Sequence, residues 1–98
     1  MDVVLGYDTL ARYEENGCYL GAVIGRYGNR IAGAACPLDG RLLKLVPNEG
    51  AKQLHGGPEG FDRKIFRVEE AGEDYVVLSC VSPDGEGGFP GTLDLRVT

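Results

Sequence analysis

The run QLHGGPEGFD, residues 53–62, holds the only histidine of the chain, His55, among Gly56, Gly57 and Gly60. Glycine at that density calls for positive φ angles, or for backbone pressed close to something else. An imidazole titrates near neutral pH, and its two ring nitrogens can donate and accept at once. A second polar pair, Asn29-Arg30, closes the run GRYGNR. Arg30 offers a rigid fork of donors, and Asn29 both a donor and an acceptor. Acid–base and hydrogen-bonding chemistry on a neutral ligand rich in hydroxyls, such as a sugar, suits this mixture. Each residue also has a plainer reading. His55 is then a loop imidazole pinned by a backbone carbonyl, and Arg30 a surface partner of one of the 15 carboxylates. Tyr7, Tyr13, Tyr19 and Tyr27 present faces on which a sugar ring could stack, though such tyrosines more often half-pack a sheet edge.

Other chemistries find less support. One histidine and three scattered cysteines (Cys18, Cys36, Cys80) do not supply the ligands of a zinc site. SPDGEGGFPGTLD fails the ligand spacing of a calcium loop and lacks its closing glutamate. Ser79 and Ser82 lie outside any G-x-S-x-G context. The cysteines sit in or beside apolar runs, which favours packing over reactivity. Neither a metal nor a cofactor is expected. The formal net charge of −5, without a Lys/Arg stripe, argues against nucleic acid and against anionic membrane surfaces. It also weakens the G-x-x-G of GRYGNR as an RNA clamp. MDVVLGYD lacks a signal-peptide layout, and unpaired cysteines suit a reducing compartment. The expectation is a cytoplasmic protein.

Ninety-eight residues make one domain at most. Sixteen glycines, with Val, Leu and Tyr common and Trp absent, predict strands joined by glycine-rich turns. DVVLGY reads as a short buried strand. Asp8 or Thr9 then caps one or two helical turns that end at Asn16-Gly17. YLGAVIG and RIAGAA read as strand-like pieces broken by glycine. CPLDGRLLKL is a hairpin, Asp39-Gly40 supplying both positive-φ positions of a type I′ turn. The polar stretch 46–62 is expected to be ordered, since it holds Leu54 and Phe61. A second hairpin turns at residues 71–74, and TLDLRVT alternates as a half-buried strand. The class is mainly β, with antiparallel strands. Strand-like ends with open edges suggest an incomplete sheet, able to pair with a missing segment or a second copy of the chain.

Several motifs together resemble one family. GRYGNRIAGA, PLDGRLLKLVPNEG, LHGGPEGFD and SPDGEGGFPG, in this order and spacing, are similar to segments of the aldose 1-epimerases, or galactose mutarotases. The resemblance covers nearly the whole chain. It implies a large, twisted antiparallel β-sandwich, and interconversion of the α and β anomers of free hexoses such as galactose and glucose without cofactor or metal. In that reaction a glutamate takes the proton of the C1 hydroxyl while a histidine gives one to the ring oxygen, and the opened aldehyde rotates before reclosure. Residue by residue, the resemblance makes Asn29, Arg30 and His55 contacts to the sugar. The family's proton-donating histidine, its base glutamate and a sugar-binding aspartate would all fall beyond Thr98. Residues 1–98 are then expected to be an internal portion of the domain, incomplete at both ends and inactive alone or nearly so. Two other classes stay open: a non-catalytic sugar-binding module, and a structural piece assembling through its strand edges.

Overall fold

The computed structural model describes residue 1 and residues 3–98. Among the described residues one short helix, α1 (Leu10–Glu15), precedes seven strands. These are β1 (Arg30–Ile31), β2 (Ala35–Leu38), β3 (Arg41–Lys44), β4 (Gln53–Leu54), β5 (Arg67–Ala71), β6 (Val76–Ser82) and β7 (Leu93–Val97). They pair as β1-β4, as β2-β3 and as a β5-β6-β7 meander, all antiparallel. The mainly antiparallel β class read from the sequence is therefore what the chain adopts.

Local chemistry explains the parts that match expectation. At the β2–β3 corner Asp39 has φ 49° and Gly40 φ 74°, the two left-handed residues a type I′ turn requires. In β7 Leu95 and Val97 are half-buried while Asp94 and Arg96 face water. The 46–62 stretch is ordered around side-chain clamps. Asn48 donates from Nδ2 to the Leu54 carbonyl and accepts the Leu54 N–H at Oδ1, at 2.9 and 2.7 Å. Leu54 and Phe61 are buried with Ala34, Leu45 and Val77.

Four expectations are corrected. Val3, Val4 and Leu5 are about 80% exposed, and residues 3–7 of the DVVLGY run lie in none of the three sheets. Its first residue, Asp2, lies outside the described residues. YLGAVIG is a turn followed by loop, because Tyr19 (φ 59°) and Gly21 (φ 66°) are both left-handed. RIAGAA is cut into β1, a 3₁₀ turn at Ala32–Ala34 and the start of β2. The second hairpin turns one residue later than expected: Ala71 still pairs with Val76, and the Gly72 N–H reaches the Tyr75 carbonyl at 2.9 Å.

At α1, Thr9 occupies the N-cap without a side-chain cap bond, and Asn16 ends the helix. All three cysteines are free thiols. Cys36 and Cys80 are half-buried, as packing residues would be, whereas Cys18 is exposed in the turn after α1. Burial raises the Cys80 pKa, which keeps that thiol protonated.

Candidate sugar-binding site

The antiparallel pairing of β1 with β4 sets Arg30 opposite Leu54 and so brings Asn29 beside His55. These two residues exchange a pair of hydrogen bonds. The His55 N–H donates to the Asn29 carbonyl at 3.1 Å, and the Asn29 N–H donates to His55 Nδ1 at 2.9 Å. With Nδ1 occupied as an acceptor, the neutral ring carries its proton on Nε2 and is there a donor. The sequence expectation of a pinned loop imidazole is met with the roles reversed, since a backbone N–H rather than a carbonyl holds the ring.

The backbone here is unusual. Tyr19, Asn29 and His55 have φ of 59°, 71° and 54°, in the left-handed region that L-residues rarely enter. Such positions cost about 1–3 kcal/mol each and persist only where their surroundings impose them. Tyr19 packs edge-on to the imidazole, with ring centroids 4.7 Å apart. Of the four tyrosines considered from sequence, it alone has its ring packed on His55. Tyr7 and Tyr13 pack on one another at 5.1 Å, and Tyr27 is exposed.

The glycines of LHGG serve a close approach. A Cβ on Gly56, where φ is 93°, would fall far inside contact distance of the Gly25 carbonyl. A Cβ on Gly25 would in turn come within 2.4 Å of two Phe61 ring carbons, and the Phe61 N–H donates to the Gly25 carbonyl at 3.3 Å. Backbone thus lies directly on backbone where 55–61 crosses 25–26, and only glycine fits.

Arg30 is engaged by Glu49. Arg30 Nε donates to Glu49 Oε2 at 2.6 Å and Nη2 to Oε1 at 2.7 Å, while Nη1 donates to Asn29 Oδ1 at 3.2 Å. The surface ion pair anticipated for Arg30 therefore exists, and its carboxylate is now identified. The hydrogen bonds from Arg30, followed by its charge and that of Lys52, hold the Glu49 carboxyl below the usual glutamate range despite some desolvation. Glu49 went unnoticed in the sequence because nothing in VPNEGAK distinguishes it from a solvated turn residue.

A second cluster fixes SPDGEGGFPG against this site. The Arg26 guanidinium donates to Ser82 Oγ and to the carbonyls of Ser82, Pro83 and Pro90 at 2.9–3.0 Å, and lies over the Phe89 ring. Ser82 Oγ donates to Glu86, and Lys64 Nζ meets Glu86 Oε1 at 2.5 Å. Gln53, 1% exposed, donates from Nε2 to the carbonyls of Val46 and Gly87 at 3.0 and 2.8 Å. Ser82 is thus a buried structural hydroxyl. A cleft of about 260 Å³ lies elsewhere, lined by Glu14 and Asp62 together with Arg63 and Lys64, and holds no imidazole.

Two solved structures share this architecture. The first is the GalM/aldose epimerase homologue from C. elegans, with TM-score 0.88 and 31% identity, covering 98% of this chain and 30% of that chain. The second is galactose 1-epimerase from Lactobacillus acidophilus, with TM-score 0.82 and 25% identity, covering 95% of this chain and 29% of that one. The chain is thus a segment with the aldose-epimerase fold.

The family sequence model for aldose 1-epimerase matches residues 1–98, and the chain belongs to that family. Its relatives include aldose 1-epimerase of Haemophilus influenzae, 48% identical over 97 residues, covering 99% of this chain and 28% of that protein. Galactose mutarotase of Bos taurus is also 48% identical, covering 98% of this chain and 28% of its own length. The chain spans about 28% of the length of these relatives.

Proposed function

We propose that residues 1–98 form one wall of the sugar pocket of an aldose 1-epimerase domain, with Asn29, Arg30 and His55 hydrogen-bonding the hydroxyls of a free hexose such as galactose or glucose. The observation that carries this reading is the reciprocal Asn29–His55 pair, which leaves Nε2 as a donor, together with the Arg30 fork bonded to the same Asn29. Hydroxyl oxygens accept from both, so a neutral polyol is matched without a charged group on the ligand.

Ring opening needs a base at the C1 hydroxyl and an acid at the ring oxygen in the same step. His55, the one imidazole of the chain, has a single proton to give and its other nitrogen occupied. In this reading His55 orients the sugar, and the acid–base pair is supplied by residues outside 1–98. The chain alone binds hexose without turning it over, and it works in the cytoplasm, in keeping with its free thiols. Among the described residues no helix is long and apolar enough to cross a membrane.

The test joins polarimetry on freshly dissolved α-D-galactose to ¹⁵N–¹H titration of the chain with D-galactose. The expected result is millimolar binding that perturbs Asn29, Arg30 and His55, is lost in His55→Ala, and leaves mutarotation at its uncatalysed rate. A folded chain whose spectrum ignores galactose would sink the pocket assignment. Acceleration abolished by His55→Ala would mean that the chain assembles its own acid–base pair.

A further inference from the structure

We propose that Glu49 is a positioning residue of this site, holding the Arg30 guanidinium so that one N–H on each terminal nitrogen is free for two neighbouring oxygens of the sugar. The inference rests on the pocket reading above. An arginine has five N–H donors. Nε–H and one N–H of Nη2 go to Glu49, and one N–H of Nη1 goes to Asn29 Oδ1, which leaves one on Nη1 and one on Nη2.

An arginine side chain with half its surface in water would otherwise sample many rotamers. The two-point carboxylate contact fixes the guanidinium plane before any ligand arrives, which lowers the ordering cost of binding. Glu49 itself stands on a fixed base. The Glu49 N–H donates to the Lys52 carbonyl at 3.1 Å, and the Lys52 N–H returns to the Glu49 carbonyl at 3.0 Å. That turn is tied to β4 by the Asn48 clamp on Leu54, whose strand partner is Arg30. Carboxylate and guanidinium therefore sit on two backbones locked to each other. The titratable groups facing Glu49 are Arg30, Lys52 and His55.

The experiment is a D-galactose titration of the 98-residue chain as wild type, Glu49→Gln, Arg30→Gln and the double variant, followed by ¹⁵N–¹H spectra. Glu49→Gln is expected to weaken galactose about tenfold. In the Arg30→Gln background the same change should have no further effect. Without sugar, the Arg30 Nε–H signal should exchange slowly in the wild type and broaden in Glu49→Gln. Should Glu49→Gln lose the dispersed spectrum of a folded chain, Glu49→Asp replaces it, with a smaller loss expected and wild-type affinity counting against the proposal. Galactose binding unaffected by Glu49→Gln overturns this inference and leaves the pocket reading standing. An equal loss in both backgrounds makes Glu49 a direct contact or a fold element, and also overturns it. A wild-type chain that ignores galactose removes the pocket reading and this inference together.

Discussion

Asn29 gives the site two separable things, a left-handed backbone that aims its N–H at His55 Nδ1 and a side-chain oxygen that takes Arg30. Glycine preserves the first and loses the second. Asn29→Gly is therefore expected to fold with stability within about 0.5 kcal/mol of the wild type, whereas Asn29→Val, β-branched at φ 71°, should lose about 1–2 kcal/mol. Urea denaturation of the two variants measures the difference. The same reasoning separates two glycines. Gly40 has open space around it, so Gly40→Asn should cost under about 1 kcal/mol. Gly56→Ala would press a methyl into the Gly25 carbonyl, and at least about 3 kcal/mol should be lost. Similar losses in both variants, read from the same urea curves, would refute the close-approach account of LHGG.

At the scale of elements, the loops are held by charged side chains more than by long ladders. Arg26 joins residues 25–28 to the 82–90 loop through four hydrogen bonds that a lysine ammonium cannot reproduce. Arg26→Lys is expected to lower stability by about 2–3 kcal/mol, measured by chemical denaturation. Glu86 works in the same loop, with only 13% of its side chain exposed. Burial pushes its carboxyl up, but hydrogen bonds from Lys64 and Ser82 outweigh this, and the net pKa is below the ordinary glutamate value. A depressed carboxyl stabilises the fold above its unfolded pKa, and that contribution disappears as pH falls through the folded pKa. Thermal midpoints of the wild type should therefore drop between about pH 5 and pH 3, and Glu86→Gln should flatten that drop. Glu49, lowered by Arg30, contributes in the same direction. A Glu86→Gln profile parallel to the wild type would show that the Lys64–Glu86 pair is not the group being titrated.

At the scale of the molecule, the chain is extended and thinly cored. Its radius of gyration is 15.2 Å, against about 13 Å for a compact domain of this length. Ile65 is 96% exposed, and Val68, Val76 and Val81 on the β5-β6-β7 meander also face water. Apolar surface of this kind, beside open strand edges, is a recognised liability for self-association. Sedimentation velocity should show a mass that rises with concentration, and Ile65→Ser with Val68→Thr should reduce it. A strictly monomeric wild type at high concentration would oppose the assembly reading. Within the chain, the site lies where loops 25–31 and 46–62 cross, and the buried apolar residues include Leu54 and Phe61 of the second loop as well as Val77 of β6.

The Asp39-Gly40 hairpin and the alternation of β7 were readable in the sequence, which also put forward Asn29, Arg30 and His55 as candidates. Each depends on neighbouring residues, or on motifs whose order and spacing resemble the family. The exposed 3–5 run, the turn through Tyr19 and the role of Glu49 were not. An apolar run counts as a strand only within a sheet, and residues 3–5 belong to none of the three. The tautomer of His55 depends on an N–H 26 positions away, and the orientation of Arg30 on a carboxylate 19 positions away. Sequence determined which donors and acceptors were available. Only the crossing of distant loops decided which of them are already paired, because a hydrogen bond spans about 3 Å in space whatever its separation along the chain.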